Sequence, residues 1–232
     1  ENVLDTIECY SAEVIPAGKI TLENLKAVNQ TIPLNFTLLG KDDKAQSSNI
    51  GIDALVLEPV REYIPEWAII GPFPNERRSE EERLGLETVY PPEKEIDLDK
   101  MYIGADSQKV SWKIYQTPAS GRFQLWDKVK PYELVVTYAF TYVYSQKEQT
   151  LPLLIGSDDG VKVFLNDKPV HSKLLVRISA PDQDTVPLNL KKGWNKLLLK
   201  IENNFGGYAF FARVKDLDNT LIFSPTKGEN DK

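Results

Sequence analysis

The chain has 232 residues and a formal net charge of −6, with 28 Lys and Arg against 34 Asp and Glu. This length suffices for a core without disulfides or structural metals, and 41% apolar residues exceed what a disordered chain contains. The acidic balance disfavours nucleic acid and anionic membranes as partners. A single histidine (His171) and a single cysteine (Cys9) exclude a His/Cys zinc site, an internal disulfide and a Cys–His catalytic pair.

Residues 1 to 60 form the first predicted unit. Three strands are expected here, bounded by polar turn residues: Glu8 to Ile15, Leu34 to Leu39 and Ile50 to Leu57. Three strands are too few to close a sandwich. The segment is therefore either the end of a preceding sandwich or a set of strands added to the next domain, and Glu58 to Glu62 is the expected linker.

The second predicted unit spans residues 63 to 226 and alternates apolar and polar residues with the period of a strand. Its only stretch with helical character is Ser79 to Glu87, which is short, highly charged and interrupted by Gly85. Further strands are expected at these segments: Trp67 to Ile70, Val110 to Tyr115, Leu151 to Ile155, Val161 to Leu165, Leu174 to Ile178, Thr185 to Leu190, Tyr208 to Val214 and Leu221 to Phe223.

Two further strands of this unit have the most informative residue patterns. Glu133 to Tyr144 consists largely of β-branched and aromatic residues, which is typical of a strand covered on both faces. In Asn195 to Glu202, one face is apolar and is predicted to be core: Leu197, Leu199 and Ile201. The opposite face is polar: Lys196, Lys200 and Glu202. About ten strands at this spacing predict an all-β, antiparallel sandwich or barrel.

The segment Ile155-Gly-Ser-Asp-Asp-Gly160 places two carboxylates, Asp158 and Asp159, at a turn between strands. Carboxylate oxygens are ligands for Ca²⁺ and acceptors for sugar hydroxyls. The alternative is a plain turn in which Asp caps backbone amides. Adjacent residues of a turn seldom place carboxyl groups across a scissile bond at the roughly 5 to 9 Å that glycosidases use, so catalysis by this pair is not expected.

A second candidate loop is Glu202-Asn-Asn-Phe-Gly-Gly-Tyr208, which combines amides, glycines and aromatic rings. Asn203 and Asn204 offer hydrogen bonds to sugar hydroxyls, and Tyr208 offers a face for stacking. A simple hairpin turn is the alternative. Trp126 lies in less regular sequence and is a further candidate for an exposed aromatic ring.

Several motifs follow one another in an order typical of a known family: Trp67-Ala-Ile-Ile-Gly-Pro-Phe-Pro-Asn75, Gly156-Ser-Asp-Asp-Gly-Val-Lys-Val-Phe-Leu-Asn166, Gly193-Trp-Asn-Lys-Leu-Leu-Leu-Lys-Ile-Glu-Asn203 and Gly207-Tyr-Ala-Phe-Phe-Ala-Arg213. Together they resemble the galactose-binding-like jelly-roll modules attached to secreted glycoside hydrolases and related polysaccharide-degrading proteins of bacteria, particularly Bacteroidetes. The resemblance covers about residues 63 to 216.

The resemblance implies a jelly-roll sandwich that binds a glycan and performs no catalysis. It also implies a secreted, periplasmic or cell-surface location, no membrane insertion, an adjacent catalytic domain as a partner and, in some members, a structural calcium ion. The family's sugar site usually lies on loops at one end of the sandwich, which points to the loops of Asp158 and Asn203. The alternative function is an interaction module without sugar affinity, and a hydrolase is the least favoured.

Overall fold

The computed structural model describes residues 63–79, 82–216 and 220–227. The predicted N-terminal unit, residues 1 to 60, and the predicted linker lie outside the described residues. Two short 3-10 helices occur in the described ranges, Pro91–Glu93 and Ala105–Ser107. No helix in these ranges has the length and apolar character needed to cross a membrane.

Thirteen strands are present in the described residues. In chain order they are β1 (Glu66–Pro74), β2 (Met101–Ile103), β3 (Lys109–Ser111), β4 (Lys113–Gln116), β5 (Phe123–Gln124), β6 (Val135–Ser145), β7 (Gln149–Asp158), β8 (Gly160–Leu165), β9 (Lys168–Lys173), β10 (Asp184–Leu190), β11 (Gly193–Asn203), β12 (Ala209–Val214) and β13 (Ile222–Ser224). This content confirms the all-β prediction.

Two antiparallel sheets pack face to face. The large sheet has the order β4-β1-β6-β11-β8-β9, and β13 pairs with the C-terminal half of β6. The small sheet has the order β10-β7-β12-β5, and β2 pairs with β3 in a separate ribbon. The architecture is therefore the predicted antiparallel sandwich, with β6 and β11 at the centre of the large sheet.

The main core lies between the inner faces of the two sheets. From β11 it receives Leu197, Leu199 and Ile201, each 0% exposed, as the alternation predicted. From the small sheet it receives aromatic side chains such as Phe210, which stacks on Phe123 and meets Trp67 edge to face. Interdigitated apolar side chains from both layers make this core the principal source of stability.

The outer face of the large sheet is buried as well, beneath the segment that runs from residue 84 to residue 112. Tyr138, Phe140 and Leu198 on this face pack against Val110 and Trp112 of the covering segment. This confirms that β6 is covered on both faces.

Lys200 and Glu202 also lie on this outer face, and both are 0% exposed although alternation placed them opposite the core. Lys200 Nζ donates to the carbonyl oxygen of Thr88 at 2.6 Å and pairs with Glu93 at 2.7 Å. Burial lowers the pKa of Lys200, and the Glu93 carboxylate acts in the opposite direction.

The boundaries of two predicted strands were wrong. Val110 to Tyr115 is divided between β3 and β4, which belong to different sheets, and Trp112 between them is in neither strand. Leu174 to Ile178 is not part of a sheet ladder. Instead, the amide of Arg177 donates to Asp159 in the β7–β8 turn, and the Arg177 guanidinium donates to Ser157 and Asp184.

Candidate functional site

The two loops that the sequence singled out meet at one end of the sandwich. The amide of Asn204 donates to Asp159 Oδ2 at 2.9 Å, and the amide of Asp159 donates to the Glu202 carbonyl at 2.9 Å. The β7–β8 turn and the β11–β12 loop are thus hydrogen-bonded to each other. The contact follows from topology, because β8 and β11 are antiparallel neighbours.

Asp159 is only 2% exposed, and protein groups satisfy its carboxylate. Its Oδ1 accepts a hydrogen bond from the amide of Arg177 at 3.0 Å, while Oδ2 accepts the bond from Asn204. Arg83 Nη1 lies 3.9 Å from the same Oδ2. The side chain therefore fastens three segments together, as a capping carboxylate does.

Glu202 lies beside Asp159 and forms a buried ion pair with Arg83. Arg83 Nη1 is 3.0 Å from Glu202 Oε1, and Asn75 Nδ2 donates to the same oxygen at 2.5 Å. The amide of Gly160 donates to Oε2 at 3.3 Å. Burial raises the pKa of Glu202, and the Arg83 charge and these hydrogen bonds counteract the rise only in part.

Arg177 completes the network on the side of the small sheet. Its guanidinium donates to the Ser157 carbonyl at 3.0 Å and to Asp184 Oδ2 at 2.5 Å. Lys173 also pairs with Asp184. Burial acts to raise the pKa of Asp184, but the hydrogen bonds from Arg177 and Lys173 outweigh it and leave this pKa below its ordinary value.

We refer to these residues as the arginine–carboxylate cluster: Arg83, Asp159, Arg177, Asp184 and Glu202. In the described ranges, no group of three or more His, Cys, Asp or Glu side chains is placed to hold a metal ion. The oxygens of Asp159, which the sequence offered as calcium ligands, accept protein hydrogen bonds instead. This geometry supports the turn interpretation of the Asp158–Asp159 pair.

Asp158 is the less constrained of the two turn carboxylates, although it is only 5% exposed. Burial and then the neighbouring Asp159 charge raise its pKa, whereas a backbone hydrogen bond from Ser179 lowers it. A carbon atom added at Gly207 would approach Asp158 Oδ2 to 2.6 Å. The carboxylate thus lies directly under the backbone of the β11–β12 loop.

Two other sequence candidates are structural. Tyr208 is 0% exposed and its hydroxyl donates to the Ile201 carbonyl at 2.8 Å, so the prediction that its ring stacks on a sugar is wrong. Asn203 is also 0% exposed and donates to the Tyr132 carbonyl at 2.5 Å. Asn203 lies on the same side of the β11 pleat as Leu199 and Ile201, and Tyr208, which immediately precedes β12, packs into the main core.

The exposed part of the β11–β12 loop is smaller than the sequence suggested. Asn204 is half-buried and accepts a hydrogen bond from Arg77 through its side-chain oxygen. Phe205 is 56% exposed, and the Arg77 guanidinium carbon lies 5.2 Å from the centre of its ring. This loop therefore presents one aromatic ring, partly covered by a cation.

Trp126 is 45% exposed, and its loop borders the β11–β12 loop. The amide of Trp126 lies 3.3 Å from the Tyr208 carbonyl, and the amide of Leu134 donates to the Asn204 carbonyl at 2.9 Å. Lys130 Nζ is 5.9 Å from the centre of the Trp126 ring and 4.2 Å from that of Tyr132. We call Trp126, Lys130 and Tyr132 the aromatic platform.

A groove of about 220 Å³ adjoins the platform through Lys130, which lines it. Its lining includes Gly71 and Pro72, where the register of β1 shifts, and four lysines: Lys109, Lys113, Lys128 and Lys130. Sequence reasoning missed the groove. The four lysines come from β3, β4 and the β5–β6 loop, and no short-range pattern marks residues that only the tertiary fold brings together.

No protein-family model matches the chain, and no curated protein matches it. Among solved structures, the chain is similar to the PA14 domain of the MpAFP antifreeze protein, with 18% identity, a TM-score of 0.31, and 37% of this chain and 44% of that chain covered. It is also similar to a family 35 carbohydrate-binding module from an environmental isolate, with 17% identity, a TM-score of 0.30 and coverages of 39% and 72%.

A β-glucosidase from Kluyveromyces marxianus is similar over 63% of this chain and 16% of its own length, with 15% identity and a TM-score of 0.37. The chain thus spans less than half the length of two of these three proteins. Similarities of this size do not place the chain in a family.

Proposed function

We propose that this β-sandwich binds a carbohydrate and performs no catalysis on it, and that the aromatic platform is the contact surface. The observation on which this rests is the exposed Trp126 ring beside Tyr132, with the Lys130 ammonium within 5.9 Å of both ring centres. An exposed indole loses few rotamers on binding and offers a broad face for the apolar side of a sugar ring.

Polar groups for sugar hydroxyls surround the platform. The Gln108 side chain, which donates to the Lys130 carbonyl at 2.7 Å, and Ser111 both line the adjoining groove. Apolar contact with a few fixed polar groups is the usual composition of a small-molecule site. Because the arginine–carboxylate cluster is buried and internally paired, we assign it to the scaffold.

We further propose that the chain is an accessory module of a secreted polysaccharide-degrading protein, as its motifs suggest. A glycan array followed by titration calorimetry with the full chain tests the binding function. Trp126→Ala is expected to weaken binding at least about tenfold, as loss of a central aromatic contact does. Ile178→Ala, which removes a side chain that is 78% exposed, is the control and should leave binding unchanged.

One observation favours the alternative, an interaction module without sugar affinity. Leu174, Val176 and Ile178 are 46%, 69% and 78% exposed and lie along one segment. An apolar stripe of this kind is typical of a protein contact. If no glycan binds and Ile178→Ala abolishes association with a second protein or a second copy, the alternative replaces our proposal.

A further inference from the structure

The groove beside the aromatic platform is strongly cationic within an acidic chain. Four lysines line one depression of about 220 Å³, and no Asp or Glu lines it. The chain as a whole has a net charge of −6. Such a local concentration of one sign attracts an oppositely charged ligand more than the total charge suggests.

Three of these lysines have no carboxylate partner in the part of the chain that the structure describes. Lys109, Lys113 and Lys130 make no ion pair there, and Lys128 pairs with Asp127 at 3.1 Å. Some other exposed lysines are paired, such as Lys100 with Glu95 and Lys196 with Asp167. The groove therefore keeps positive charge available for a ligand.

The ammonium groups and the aromatic rings of the groove lie close together. Lys128 Nζ is 5.4 Å from the centre of the Tyr115 ring, which lines the groove, and Lys130 connects the groove to the platform. A ligand that spans both surfaces must offer an apolar ring face to Trp126 and negative charge to the lysines. A sugar ring with an acidic substituent has both properties.

From this geometry we propose that the chain binds an anionic glycan, with its carboxylate or sulfate groups in the lysine groove and a neighbouring sugar ring on Trp126. This proposal rests on the proposed carbohydrate-binding function and narrows its ligand. Lysine ammonium groups act as point charges and make no bidentate fork, so they suit acidic groups at varying positions along a polymer.

The test compares one polymer backbone with and without its charge. Oligomers of polygalacturonate and their methyl esters differ only in the ionised carboxylates. We expect the acidic oligomers to bind at least about tenfold more tightly, and the difference to shrink between about 0.05 and 0.5 M NaCl, because added salt screens exposed charges. Chondroitin and chondroitin sulfate distinguish carboxylate from sulfate as the preferred group.

Two double variants locate the charge effect. Lys109→Gln with Lys113→Gln, both outside the aromatic platform, should weaken binding of the acidic oligomers about five- to tenfold, as the loss of two exposed ion pairs predicts, and leave the esters little affected. Lys147→Gln with Lys168→Gln changes net charge equally at exposed positions outside the groove, and it should leave both affinities unchanged. Equal melting temperatures exclude misfolding as the cause.

The outcomes separate this inference from the function on which it rests. If binding depends on Trp126 but is equally tight for the esters and the acids, the proposed preference for anionic glycans is wrong and the proposed carbohydrate binding stands. Tight binding of single-stranded DNA or of vesicles containing phosphatidylserine, with none of acidic oligosaccharides, overturns both. Loss of affinity in the Lys147 and Lys168 control as well would show that long-range charge and not the groove attracts the ligand.

Discussion

The arginine–carboxylate cluster and the lysine groove are both rich in charge, but they differ in burial and pairing. In the cluster, the side chains of Arg83 and Glu202 are 6% and 0% exposed and lie 3.0 Å apart. In the groove, Lys109 and Lys130 are exposed and make no ion pair with a described residue. The cluster thus holds loops in place, while the groove retains charge for another molecule.

The difference shows that a charged motif in a sequence does not by itself mark a binding site. A buried ion has lost its hydration and must be compensated by the protein, so its groups are already used. An exposed ammonium keeps its hydration and exchanges it for a ligand at little cost. The buried Asp159 therefore belongs to the scaffold, and the scattered lysines are the binding surface that we propose.

Removal of a buried cation should have the largest effect on the free energy of unfolding. Arg83→Ala leaves Glu202 buried without its counter-charge, and we expect the free energy of unfolding to fall by about 3 to 5 kcal/mol, measured by chemical denaturation. Arg78→Ala is the matched control, because Arg78 also pairs with a glutamate, Glu82, but in solvent. It should cost at most about 0.5 kcal/mol. Equal losses of stability in the two variants would show that burial does not set the Arg83–Glu202 pair apart from the Arg78–Glu82 pair.

Protonation of Asp184 should have a smaller effect on stability than the loss of Arg83, and only at low pH. Because the folded-state pKa of Asp184 is lowered, its contribution is fully present above the unfolded pKa of about 3.9 and is lost as the pH falls through the folded value. We expect the stability difference between the wild type and Asp184→Asn to shrink between about pH 5 and pH 2. The exposed Asp167→Asn serves as the comparison, and a difference for Asp184→Asn that is constant with pH would contradict the pairing with Arg177.

Substitutions in the lysine groove should have the smallest effect on the free energy of unfolding. We expect Lys109→Gln with Lys113→Gln to change the free energy of unfolding by no more than about 0.5 kcal/mol, since neither ammonium makes an ion pair or a cation–π contact with a described residue. Thermal unfolding at neutral pH measures this. A loss above about 2 kcal/mol would mean that these lysines stabilise the fold in the same way as the buried cluster.

The alternation of apolar residues was enough to predict the all-β class, the central position of β6 and the inward face of β11. Local pattern determines these features, because side chains of a strand point alternately to two faces. The same pattern correctly placed Lys200 and Glu202 on the opposite face of β11 but did not show that this face is buried. Alternation says which residues share a face, but whether a second layer covers that face depends on a segment about 100 residues away.

The features of the candidate site also fall into two groups: those that local sequence predicted and those that only the tertiary structure decided. From sequence alone, the composition of two loops predicted that Asp158, Asp159, Asn203 and Asn204 were worth examining, and antiparallel pairing of β8 with β11 does bring those loops together. Only the tertiary structure showed that Tyr208 is core, and it confirmed the exposed ring that the sequence had suggested for Trp126. It alone gathered four lysines from separate elements into one groove, because spatial proximity between distant segments depends on strand order and sheet packing, which no local pattern contains.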